Sequence, residues 1–172
     1  GIFESGAGTV NVLGNFTISS GRITVNNTSS TTVTVNVSGN FIISGSARII
    51  LSSNATASTT INVTGTVTAS SSGSPVINFC SVTSASGGIS IFQANGNVSL
   101  NGTGTNILEW GNGTINSNYF GVKGNLTVTG SGRINTASST TAAIGFVFNG
   151  SGALQTLSNT STGSTSSTEC SY

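Results

Sequence analysis

The sequence predicts an all-β protein, a parallel β-helix (β-solenoid) of about five to six coils, with roughly 26 residues and three short strands per coil. Three observations predict it. The stretch "GNFTISSGRITV" (Gly14 to Val25) returns as "GNFIISGSARII" from Gly39 and as "GNLTVTGSGRI" from Gly124. Around each copy apolar residues alternate with Asn, Thr or Ser, the period of a strand with one dry and one wet face. Only seven of the 172 residues are charged, so neutral hydrogen-bonding groups fill the polar positions.

Aligned on its glycine, each copy supplies its elements in a fixed order. Gly14, Gly39, Gly65, Gly96, Gly124 and Gly150 follow one another at 25, 26, 31, 28 and 26 residues and mark the coil starts. Before each glycine lies a first strand, with Val10, Val35, Ile61, Phe92, Phe120 and Phe146 in one column. Val12, Val37, Val63, Ala94, Val122 and Phe148 form the next. After the first five glycines comes a second strand. Its columns are Phe16, Phe41, Val67, Val98, Leu126 and then Ile18, Ile43, Ala69, Leu100, Val128. A less regular third strand follows at Arg22–Val25, Arg48–Leu51, Asn106–Leu108 and Arg133–Ile134.

Three strands in about 26 residues suit one coil, with equivalent strands of successive coils pairing along the axis at about 4.8 Å. Antiparallel hairpins also alternate and are the competing architecture; the steady glycine positions favour coils. The long interval contains Ser70-Ser71-Ser72-Gly73-Ser74-Pro75, which reads as an enlarged turn. Pro75 donates no ladder hydrogen bond and belongs at a strand edge. The solenoid is expected over 1–157, with 158–172 a Ser/Thr-rich tail.

Composition narrows the function. A net charge of +1 makes no case for nucleic acid or an anionic membrane surface. No apolar run reaches the length of a membrane span, and no basic-then-apolar leader stands at the N-terminus, so a secreted protein is expected here in processed form. There is no His, and the two cysteines, Cys80 and Cys170, cannot supply a four-ligand zinc site. A disulfide is the expected use, which argues for an oxidising, extracellular setting. The two lie at least three coils apart, roughly 15 Å along the axis, so an intrachain bond needs the tail to run back over the solenoid. The alternatives are a bond to a neighbouring subunit or no bond.

The recurring G-N-[FVL]-x-[IVL] followed by G-x-[IV] turns resembles the extracellular parallel β-solenoid repeat proteins of microbial surfaces: adhesins, sheath proteins and filament subunits. The resemblance covers about Val10 to Leu154. It implies secretion, a stacking shape and a role outside the cell, and specifies architecture better than function.

Twelve asparagines sit in N-x-[ST] triplets. A wet strand face of Asn, Ser and Thr generates that triplet by itself, but a secretory route would make some of them glycan acceptors. Candidate N-glycosylation sites are Asn54, Asn112, Asn159, Asn27 and Asn101. Asn15, Asn40, Asn97 and Asn125 share a column in which stacked amides are expected to bond along the axis. The arginines recur in register as solvated residues that discourage mispairing, or as partners of Glu4, Glu109, Glu169 or an acidic partner. Trp110 and Tyr119 either fill a wide coil or form a sugar-stacking platform beside Glu109.

Catalysis is not expected, and no cofactor or metal is called for. Three glutamates, two of them near the chain ends, offer no facing carboxylate pair, and without His there is no general base or Ser-His-Asp arrangement. Ice binding is a rival. Thr17, Thr68 and Thr127, with Ser19, Ser70 and Thr129 beside them, make a hydroxyl array, interrupted at Ile42, Ser99 and Asn101. Neither end of the sequence carries an amphipathic helix to serve as a cap, and uncapped ends invite strand pairing with another chain. The leading expectation is therefore a structural subunit of an extracellular polymer, a filament or sheath, whose principal partner is itself, with glycans as a second partner. An adhesin domain of a larger surface protein is the alternative.

Overall fold

A computed structural model describes residues 7–81, 88–110, 118–135, 145–151 and 154–162. Within them the chain is all-β, without a helix. The strands come in groups of three. The first two groups are β1 (Gly8–Val12), β2 (Phe16–Ile18) and β3 (Arg22–Asn26), then β4 (Thr32–Val37), β5 (Phe41–Ile43) and β6 (Arg48–Ser52). The next two are β7 (Ser58–Val63), β8 (Val67–Ala69) and β9 (Ile77–Cys80), then β10 (Ser90–Ala94), β11 (Val98–Leu100) and β12 (Asn106–Glu109). The last group is β13 (Tyr119–Val122), β14 (Leu126–Val128) and β15 (Arg133–Asn135), with β16 (Gly145–Phe148) and β17 (Leu157–Asn159) after it.

Each strand pairs in parallel with its counterpart one group away, giving sheets ordered β1-β4-β7-β10-β13-β16, β2-β5-β8-β11-β14-β17 and β3-β6-β9-β12-β15. This is a parallel β-solenoid, and the columns read from the sequence are its ladders. Val10 pairs with Val35, Val35 with Ile61, Ile61 with Phe92, and Phe92 with Phe120. Phe16 pairs with Phe41, Phe41 with Val67, Val67 with Val98, and Val98 with Leu126.

The inward columns form one core. Phe41, Ile43, Ile61, Val67, Phe92, Leu100, Phe120 and Leu126 are fully buried, and Ile18, Val35, Val98 and Val128 nearly so. Aromatic rings thread it in a continuous series. Phe16 stacks on Phe41 (5.0 Å between centroids), Phe41 meets Phe92 edge-on (5.2 Å), Phe92 stacks on Phe120 (4.8 Å), and Phe120 meets Phe146 (5.7 Å). Offset and edge contacts of this kind suit the ring quadrupole.

The recurring glycine has a steric cause. The corner between first and second strands stacks backbone on backbone, with Gly39 N donating to Gly14 O at 3.0 Å and Gly65 N to Gly39 O at 3.0 Å. A Cβ on Gly65 would lie 2.7 Å from Gly39 O and collide with Asn40 Oδ1. The glycine thus exists for close approach between coils. At the following corner Gly45 combines close approach with a left-handed φ of 59°, which an L side chain adopts only under strain.

Two features depart from the sequence reading. β9 completes the third sheet in a copy where no third strand was predicted, pairing Ile49 with Ile77 and Ile50 with Asn78. The long interval is also not one enlarged turn. The coil-to-coil offset grows from 26 at Ile43–Ala69 to 28 at Ile49–Ile77 and 31 at Thr59–Ser90, so the extra residues divide between the turns before and after β9. In the middle of the third sheet Thr24, Ile50 and Asn78, turned outward by alternation, are buried as well. At the C-terminal end β17 spans the expected boundary at residue 157.

Candidate functional site

The two ends of the solenoid differ from its middle. Among the described residues β1, β2 and β3 pair on one side only, with β4, β5 and β6. Their inward residues Val10, Val12, Phe16 and Ile23 are half-buried, whereas their counterparts Val35, Val37, Phe41 and Ile49 are buried. Behind them lies a wholly apolar cavity of about 130 Å³, lined outermost by Val10, Val12, Phe16 and Ile23 and deeper in by Phe41 and Ile61. At the other end, again among the described residues, β16 pairs with β13 alone and β17 with β14 alone. Phe146 is half-buried, and Val147 and Phe148 are 43% and 38% exposed. Among the described residues, both ends thus present apolar interior on strands with an open hydrogen-bonding edge. No charged side chain belongs to β1, β2, β16 or β17.

Polar ladders clothe the outer faces. The amide ladder lies in the first sheet, where Asn36 Nδ2 donates to Asn11 Oδ1 (2.9 Å) and Asn62 Nδ2 to Asn36 Oδ1 (3.0 Å). The column expected to do this, Asn15, Asn40, Asn97 and Asn125, works differently. Asn15 Oδ1 accepts the backbone N–H of Asn40 (2.9 Å), Asn40 Oδ1 that of Thr66 (2.9 Å), and Asn97 Oδ1 that of Asn125 (2.9 Å). Each amide therefore ties the glycine corner to the next coil's backbone. The hydroxyl row is in register as predicted, but Ile42 sits between Thr17 and Thr68, and Ser99 between Thr68 and Thr127.

Of the candidate glycan acceptors, Asn27, Asn101 and Asn159 are exposed and Asn54 is half-buried; Asn112 lies outside the described residues. Asn54 Nδ2, the atom a glycan would occupy, faces Asn27 O at 3.5 Å, while Asn54 Oδ1 accepts Thr56 N at 3.2 Å. Asn26, also in a triplet, is fully buried. It donates to Thr31 O (3.2 Å) and Ser58 O (3.0 Å) and accepts from Thr28 N (3.1 Å) and Thr31 Oγ1 (3.0 Å), which makes it a structural clamp.

Trp110 fills the coil. It is 2% exposed, against Phe79 (4.7 Å between centroids) and Phe146 (5.6 Å), so the sugar-platform reading of this residue falls. Glu109 points the other way, and its Oε2 accepts from Asn78 Nδ2 at 3.4 Å. Burial raises its carboxyl above the usual glutamate range. The folded state therefore holds this proton to higher pH than the unfolded chain, and stability declines as pH rises through the ordinary carboxylate range towards the raised value. Glu109→Gln is expected to melt at higher temperature than the parent at pH 7. The advantage should disappear near about pH 3, where both forms are neutral. Thermal melts at the two pH values check this.

Arg22 and Arg48 are exposed register partners at the starts of β3 and β6, and Arg48 donates to Ser74 O (3.3 Å). Neither forms an ion pair with Glu109, and Glu4 and Glu169 lie outside the described residues. Cys80 is buried at the end of β9, in the column of Asn26 and Ser52. Cys170 lies outside the described residues, and the expected disulfide with it.

The fold defines a parallel β-solenoid repeat protein whose outer faces carry few charges and whose described ends are apolar. No protein-family model, curated protein or solved structure matches the chain.

Proposed function

We propose that the chain is a non-catalytic structural subunit of an extracellular polymer, a filament or sheath, assembled through the solenoid ends. The carrying observation is the pair of ends, where apolar interior columns stay half-exposed on strands that, among the described residues, pair on one side only. Open strand edges recruit further strands unless charge, proline or a cap blocks them. The end strands of the first two sheets carry none of the first two, and a net charge of +1 opposes self-association little. Neutral Asn, Thr and Ser faces would form the polymer's surface, with Asn27 and Asn101 as exposed glycan acceptors in a secretory setting.

An adhesin domain would use the same scaffold with its ends occupied by neighbouring domains, and an ice-binding protein would use the hydroxyl row. Electron microscopy of the purified chain at high concentration separates these readings. Ordered fibres or sheets are expected. Dispersed particles of monomer size count against assembly, and thermal hysteresis in such a dispersed sample would favour ice binding.

A further inference from the structure

Building on the polymer reading, we infer a head-to-tail joint of defined register, in which the C-terminal edge of one copy continues the first two sheets of the next and seats an aromatic ring in its N-terminal cavity. The ladder columns set the register. Val10, Val35, Ile61, Phe92, Phe120 and Phe146 are one column, so the next strand in it, β1 of a second copy, brings Val10 against Phe146. The same alignment places Asn11 against Val147 and Val12 against Phe148, and in the second sheet Phe16 against Leu157.

The surfaces that meet are complementary. The cavity behind Val10, Val12 and Phe16 holds about 130 Å³ and has no polar lining. A buried apolar cavity of about 150 Å³ admits benzene. Phe146 and Phe148 are the rings that the register brings to its mouth, and Phe148, at 38% exposure, is poorly covered within its own copy. The internal ring series also continues across the joint, since it ends on Phe146 at one end of the molecule and on Phe16 at the other. Strand direction agrees because every pairing in the molecule is parallel. Asn159, the polar member of the otherwise apolar column begun by Ile18, is satisfied locally, its Oδ1 accepting Ser161 N (3.1 Å) and Ser161 Oγ (2.9 Å). The third sheet ends at β15 among the described residues, so the joint rests on the first two.

The test is Asn11→Cys with Val147→Cys in one chain, on a Cys170→Ser background. These two positions face outward and lie five strands apart within one copy, about 24 Å, beyond the roughly 7 Å a disulfide spans. In the joint they become neighbours in adjacent strands. Mild oxidation is expected to give a ladder of covalent multimers that collapses on reduction, with peptide mapping joining residue 11 to residue 147. Each single variant should give no ladder. Phe148→Ser is expected to leave the melting temperature nearly unchanged and to raise the concentration needed for assembly at least about tenfold. Dimers linked 11-to-11 overturn the inference in favour of head-to-head contact. Visible fibres without the 11-to-147 link overturn the register while leaving the polymer reading intact, and monomer without fibres overturns both.

Discussion

Phe41→Asp is expected to abolish folding. Phe41 is fully buried, stacked on Phe16 at 5.0 Å and edge-on to Phe92 at 5.2 Å, with Val67 beside it in the ladder. Removing a buried Phe costs about 3–5 kcal/mol from the cavity and lost transfer energy alone. The carboxylate would then have to ionise without a partner in a hydrocarbon interior or take up a proton, a further penalty of several kcal/mol. A domain with about 5–15 kcal/mol of total stability does not absorb both. Thr17→Asp, one residue along from Phe16 and exposed, is expected to change stability by less than about 1 kcal/mol. Chemical denaturation of the two variants side by side decides the matter; equal losses would mean that the dry and wet faces are misassigned.

Gly65→Ala is the second large effect. The added methyl would approach Gly39 O at 2.7 Å and its carbonyl carbon at 2.9 Å, and both are backbone atoms of the coil beneath. The coils would have to part at a corner where Gly65 N donates to Gly39 O. Overpacking of this kind costs about 1–3 kcal/mol. The same change at Gly14 is its control. Gly14 heads the same column but has nothing within 4 Å of its Cβ position, so Gly14→Ala is expected to be close to neutral in the isolated chain. Equal destabilisation at the two sites would refute close coil approach as the reason for the glycine repeat.

Much of this fold was legible because the stacking repeats a residue type wherever it repeats an environment. Phe16, Phe41, Val67, Val98 and Leu126 were aligned by their distance from a glycine, and the structure stacks them in that register. Where the environment is not repeated, the residue type is not either. β9 was hidden because it follows a turn longer than its counterparts, starting 12 residues after Gly65 where the other third strands start 8 to 10 residues after their glycines. Its apolar run "VINF" was the available signal.

The asparagines show a different limit. Their alignment was legible, but whether Oδ1 meets an amide, as between Asn11 and Asn36, or a backbone N–H, as between Asn15 and Asn40, depends on the local path of the chain. Asn26 carries the same triplet as exposed asparagines and is a buried clamp, because the turn after β3 folds back over it. The ends were legible only in part. The apolar columns that run out to both ends were visible in the sequence, whereas the cavity behind Val10 and Phe16 exists only once the coils are stacked.

The axial repeat of assembled material tests the central claim most directly. If copies continue one another's sheets, helical reconstruction from electron micrographs should give strands perpendicular to the polymer axis. The first two sheets are each six strands deep, so the rise per subunit should be about 29 Å at roughly 4.8 Å per strand. A chain that sediments as a monomer at every concentration, or a polymer whose strands do not stack along its axis, would contradict the account.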